Sequence, residues 1–157
     1  MSESGEKYVV RRMREADLDA VAAIEAECFS DPWSRQGFAD ALAFEGNIFL
    51  LAEDQDGGGI IGYCGLYQAA DEGEITNVAV TAARRRNGAA SALLKALLEE
   101  AVRSRITQVF LEVRVSNAAA IALYRGYGFE VCGTRRNFYS DPDEDAYVMV
   151  CHLAAYR

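Results

Sequence analysis

Three segments of the chain carry residue types able to do chemistry. In the first, Arg84-Arg85-Arg86-Asn87-Gly88-Ala89-Ala90-Ser91, three cationic side chains precede a glycine and two alanines where a helix is predicted to start. The first N–H groups of a helix have no partner within it, and its dipole is positive there. Gly88, Ala89 and Ala90 let an anion approach that backbone closely, and arginines add charge-assisted donors. This is the chemistry of a phosphate or pyrophosphate site. The plainer alternative is a solvated basic turn capped by Asn87. In the second segment, Leu111-Glu112-Val113-Arg114, a carboxylate interrupts an apolar strand. Alternation sets Glu112 on the face opposite Leu111 and Val113. It is either a partly buried base with a raised pKa or an acid paired with Arg114, which shares its face. In the third, Asn117 opens an alanine-rich helix that carries Tyr124 and stops at Gly126 and Gly128. Tyr124 either packs in the core or donates a phenolic proton to a departing anion.

Other chemistries are poorly supplied. Cys28, Cys64, Cys132 and Cys151 form no closely spaced pair and sit among apolar neighbours, so they read as small buried hydrophobes in a reducing compartment. The single histidine, His152, follows Val148-Met149-Val150-Cys151 in what reads as a final strand. A zinc site at these spacings is not expected, nor is a hydrolase triad resting on His152. Gly57-Gly58-Gly59 leads into a strand rather than a helix, which favours a hairpin turn over a phosphate cradle.

The elements that must position these segments follow from periodicity. Strands are predicted near Tyr8–Met13, Asn47–Glu53, Ile60–Gln68, Glu74–Val80, Gln108–Val115, Phe129–Thr134 and Ala146–Leu153. Asp17 is placed to cap a helix with Leu18, Val21, Ile24 and Cys28 on its apolar side, and Asp31-Pro32-Trp33 breaks it. Ser34 then caps a short helix carrying Phe38 and Leu42. Asn87–Ser104 is the longest helix, with Leu93, Leu94, Leu97, Leu98 and Val102 on one face, and Asn117–Gly126 is the last. The order βααβββαβαββ predicts one mixed α/β domain with a parallel pair around residues 74–115.

Composition agrees. The 157 residues are 51% hydrophobic and 25% charged, the balance of a globular domain rather than a disordered chain. No apolar run reaches the roughly 20 residues of a membrane-spanning helix, and the polar start is unlike a signal peptide, so a cytoplasmic protein is expected. Residues 1–76 carry 16 acidic and 5 basic side chains, whereas residues 77–157 carry 8 and 11. So acidic a chain is a poor partner for nucleic acid. Its first half suits something cationic and its second an anionic small molecule.

Val80, RRNGAA at 85–90, LEVR at 111–114 and SNAAAIALYRGYGF at 116–129 have the order and spacing of the GCN5-related N-acetyltransferases, which the chain resembles from about residue 7 to 153. FSDPWS at 29–34, RRNFY at 135–139 and EDAYVM at 144–149 narrow the resemblance to the branch that acetylates an N-terminal alanine of a bacterial ribosomal protein. The resemblance implies a mixed sheet of about seven strands, flanked by helices and splayed between the fourth and fifth. Acetyl-CoA would serve as co-substrate in the gap, with no metal. The backbone of Val78, Ala79 and Val80 would hold the pantetheine arm, and Arg85, Arg86, Asn87, Gly88, Ala89 and Ala90 the pyrophosphate. Asn117 would contact the cofactor, Glu112 would be the general base and Tyr124 the general acid. Phe29, Trp33, Arg136 and Tyr139 are candidates for the acceptor, a basic protein N-terminus; a monomer is the default. Two residues depart from the family pattern: Ala90 replaces a frequent glycine, and Arg125 replaces a frequent acid. The rival readings are an acetyltransferase for another amine and an acetyl-CoA sensor without catalysis.

Overall fold

The computed structural model describes residues 8–85 and 87–153; the contact expected of Arg86 falls outside them. β1 (Tyr8–Arg12) leads through a 3-10 turn to α1 (Leu18–Cys28) and α2 (Arg35–Leu42). Three strands follow, β2 (Ile48–Asp54), β3 (Gly59–Ala69) and β4 (Glu72–Val80). Then come α3 (Ala89–Arg103), β5 (Gln108–Arg114), α4 (Ala118–Gly126), β6 (Glu130–Tyr139) and β7 (Glu144–His152). The seven strands form one sheet in the order β1-β2-β3-β4-β5-β7-β6. Every neighbouring pair is antiparallel except β4 and β5.

Both faces of the sheet are covered, which is why β2 is apolar on both sides. Ile48 and Leu50 face the cluster built on α3, where Leu93, Leu94, Leu97 and Leu98 are buried as their spacing predicts. Phe49 and Leu51 face Leu18, Val21 and Ile24 of α1 and Phe38 of α2. Each such side chain, fully buried, contributes roughly 1.5–3 kcal/mol.

Local details depart from expectation for identifiable reasons. Asp17 does not cap α1 with its side chain. Its carboxylate instead takes both guanidinium donors of Arg11, each at 2.9 Å, and the N–H of Arg14. Charge-assisted, bidentate bonds outcompete a neutral cap. Ser34 and Asn117 do cap their helices, accepting from Gly37 N–H and Ala120 N–H at 3.1 Å each. β6 runs to Tyr139 rather than ending near Thr134, because Arg135 and Tyr139 still pair with Ala146 and Glu144 of β7, on either side of a second register shift. Cys64 and Cys151 are buried, but Cys132 is exposed and Cys28 half-buried, so the expectation of four core thiols holds for two.

Candidate functional site

β4 and β5 pair through three positions alone, Glu72–Glu74 against Gln108–Phe110. Beyond these the strands part, and the rest of β4 is left without a neighbour on that side. Thr81 N–H bonds Ile61 O, so alternation turns the Ala79 backbone toward β3 and those of Val78 and Val80 into the opening. The backbone of Val78 and the N–H of Val80 are therefore placed to bond an extended ligand arm as a strand would, while Val80 O is already taken by Arg85 and Cys28. The contact expected of Ala79 through its backbone does not fit this geometry.

At the end of β4 the arginine turn meets α3. Gly88, not Asn87, is the N-cap residue, with φ of 87°, a left-handed conformation that glycine adopts without cost. The first N–H groups of α3, at Ala89 and Ala90, are left without a side-chain cap. The backbone carbonyl of Asn87 instead accepts from the Tyr8 hydroxyl, at 3.1 Å. Arg84 and Arg85 are not equivalent. Arg84 is bound to Asp54 in the β2–β3 hairpin, at 2.5 Å. Arg85 is exposed and arches back, donating to Val80 O at 3.0 Å and to Cys28 Sγ at 3.3 Å.

Glu112 lies on β5 just past the last paired position, half-buried, on the face opposite Leu111 and Val113. Its carboxyl is raised above the usual glutamate range. Burial is the main cause, followed by a hydrogen bond and like-charge repulsion from Glu74 of β4; Arg135 opposes them. Arg135 Nε stands 3.3 Å from Glu112 Oε2. The alternative pairing with Arg114 does not occur. Arg114 donates to Glu144 at 3.1 Å and to Pro142 O and Ser140 O at 2.9 and 3.1 Å, bracing the β6–β7 hairpin. Its guanidinium also lies 4.5 Å over the Tyr139 ring. Glu74 escaped notice in the sequence because nothing local links it to Glu112. The parallel register of β4 and β5 makes them neighbours.

Tyr124 on α4 is 8% exposed and packs edge-to-face on Phe129, with ring centres 5.6 Å apart. Burial pushes its phenol well above the usual tyrosine range, so it keeps its proton at neutral pH. Its hydroxyl has no hydrogen-bond partner among the described residues. Their one buried, unpartnered side-chain polar atom is Thr76 Oγ1, so the Tyr124 hydroxyl reaches solvent. Its electrostatic neighbours are Cys64, the register partner of Val78, and Tyr139. Tyr139, pushed up to about 12 chiefly by burial, also feels the charge of Glu112. Tyr139 thus stands near both proposed proton carriers. Asn117 spends its Oδ1 on the α4 cap; its amide NH2 makes no protein bond among the described residues.

Of the other acceptor candidates, Trp33 joins this cluster. Its ring stacks on Tyr67 at 6.0 Å, and Tyr67 feels the charge of Glu74. Phe29 and Arg136 are exposed, and neither pairs with these residues. Alternation along β6 turns Arg135 to Glu112 and Arg136 away.

A gap in a mixed sheet, a helix N-terminus without a side-chain cap at its edge, and a raised carboxyl with the Tyr139 phenol near it occur together where β4 and β5 part. The acetyltransferase (GNAT) family model matches residues 18–129. The chain is 34% identical over 147 residues to the ribosomal protein bS18-alanine N-acetyltransferase of Escherichia coli strain K12, covering 92% of this chain and 97% of that protein. It is 35% identical over 155 residues to the N-alpha-acetyltransferase RimI of Mycobacterium tuberculosis, covering 95% of each. The crystal structure of the ribosomal-protein-S18-alanine N-acetyltransferase from Escherichia coli superposes with a TM-score of 0.85 at 32% identity, covering 93% of this chain and 94% of that one. The chain belongs to the GNAT acetyltransferase family. It is an N-acetyltransferase, and its family takes the acetyl group from acetyl-CoA.

Proposed function

We propose that the chain moves an acetyl group from acetyl-CoA to the α-amino group of an N-terminal alanine on a ribosomal protein, with Glu112 as base and Tyr124 as acid. The observation that carries the mechanism is the half-buried Glu112 carboxyl, raised by burial and by Glu74, at the point where β4 and β5 part. An α-ammonium titrates near ~8, so a modest base suffices to free it; a lysine, near ~10.4, demands more. Glu112 takes that proton directly or through a water. Tyr124, held protonated by burial, supplies a proton to the departing sulfur. No protein nucleophile is needed, because holding both reactants in line supplies much of the acceleration. The backbones of Val78 and Val80 and the bare start of α3 suit the pantetheine arm and pyrophosphate, and no group of three metal-ligating side chains occurs among the described residues.

The acceptor reading rests on the named relatives and on charge. Glu74 and Glu112 draw an ammonium, and the 16 acidic side chains of residues 1–76 attract the basic chain behind it. The proposed setting is the cytoplasm and the proposed form a monomer. Among the described residues no helix is long and apolar enough to cross a membrane.

Two expected results follow. A peptide with a free N-terminal alanine and basic residues after it is acetylated far faster than the same peptide blocked at its N-terminus and carrying an internal lysine. Mass spectrometry of one time course reads both; equal rates reject the N-terminal specificity and leave acetyl transfer standing. Arg85→Ala combined with Arg86→Ala weakens acetyl-CoA binding about tenfold, the scale of one or two solvent-screened charge-assisted bonds. What binding remains depends less on salt. Calorimetry at two salt concentrations tests it, and an unchanged Kd would make these arginines mere surface. Arg84, already tied to Asp54, is not the residue to choose.

A further inference from the structure

We propose that Glu25 is a positioning residue that holds the acceptor loop, residues 29–34, in register with the cofactor strand β4; this rests on the acceptor reading above. Glu25 opens the last turn of α1 and is 2% exposed, a carboxyl with no cationic partner among the described residues. Such a group is costly to bury unless its oxygens are bonded. Oε2 accepts the N–H of Trp33 at 3.0 Å. Oε1 accepts from the Asn77 amide at 2.8 Å and from the Tyr63 hydroxyl. One side chain therefore joins the loop to β3 and to β4, and Asn77 directly precedes Val78, whose backbone faces the opening. Cys28, one turn on, adds a bond from its thiol to Val80 O at 3.5 Å.

The loop has little else to hold it. From Ser30 to Ser34, the Trp33 N–H is the only backbone amide with a hydrogen-bond partner among the described residues. The Trp33 ring packs on Phe38 at 5.1 Å and on Tyr67 at 6.0 Å, and Tyr67 is the step to Glu74 and Glu112. A carboxyl that merely filled the core would bond within α1 or to the sheet. Glu25 spends one oxygen on a loop amide eight residues ahead and the other on the strand beside the cofactor. Freeing Glu25 lets Trp33 drift from the acceptor side while the cofactor side keeps its own bonds.

Trp33 is the single tryptophan, so its emission reports the loop without a label. Glu25→Met has similar volume and no acceptor. In the folded variant, the KM for the alanyl peptide rises about tenfold, as expected when a buried amide loses its partner. The KM for acetyl-CoA stays within about twofold by the same reasoning, and acrylamide quenches Trp33 more strongly. Glu25→Gln recovers most of the loss, because Asn77 and Tyr63 can turn to accept from its amide. Amide exchange in the unaltered protein needs no variant to fold: Trp33 N–H is protected where Ser30 and Asp31 are not. Unchanged quenching, equal losses in both KM values, or exchange at Trp33 as fast as at Asp31 would overturn the proposal. Should the unaltered protein acetylate no alanyl peptide, the acceptor reading falls by itself, and quenching with exchange still decides whether Glu25 anchors the loop.

Discussion

Tyr124→Phe lowers kcat by about 100- to 10,000-fold, the usual loss when a general acid is removed, while the Kd for acetyl-CoA barely changes. The substitution deletes one oxygen and leaves the ring, its packing on Phe129 and the α4 backbone in place. The hydroxyl bonds no described residue, so no buried partner is orphaned and the fold is not weakened through it. Burial has raised this phenol, so the proton it would deliver is present throughout the neutral range. Single-turnover kinetics beside a binding isotherm separates the two quantities. Turnover at the unaltered rate ends the assignment of Tyr124 as acid. Tyr139, which lies near both Tyr124 and Glu112, is then the next phenol to test.

Glu112→Gln removes the acidic limb of the pH–rate profile and costs kcat/KM on the order of 100- to 10,000-fold. The sign of the pH effect follows from the site. A base works when deprotonated, and this carboxyl is raised, so activity in the unaltered enzyme fails on acidification at a pH above the ordinary glutamate value of 4.5. The two neighbours displace that limb in opposite directions. Glu74→Gln removes a like charge and moves the limb toward lower pH. Arg135→Ala removes the opposing cation, which stands 3.3 Å away, and moves it toward higher pH. A profile that keeps its shape and height in Glu112→Gln makes this carboxylate structural. If neither neighbour moves the limb, it belongs to another group.

The like charge and hydrogen bond of Glu74 help raise the Glu112 carboxyl, after burial. In the proposed reaction an incoming α-ammonium would meet the charge of the two glutamates, and Arg135, 3.3 Å from Glu112, supplies the counter-charge before it arrives. Being largely exposed, Arg135 can leave at little cost.

The elements were readable from the chain because each is encoded locally. The leucine stripe of α3 follows the helical period, β5 alternates, and Ser34 and Asn117 bond amides three residues away. The cofactor-side segments are likewise contiguous, since a helix N-terminus and the turn before it are neighbours in sequence. Even there, local reading misjudged Asn87, because the choice between Asn and Gly at the cap depends on the left-handed bend entering α3. The base's surroundings were not readable. Arg114 was the natural partner by proximity, but Glu112 meets Glu74 and Arg135. Glu25 meets Asn77 across 52 residues. Such meetings depend on strand register and on where β4 and β5 separate, and a shift of one residue would turn each side chain to the opposite face. Register is set by the packing of both sheet faces together, so residue types and their short-range spacing are properties of the chain, whereas the charge around Glu112 is a property of the fold.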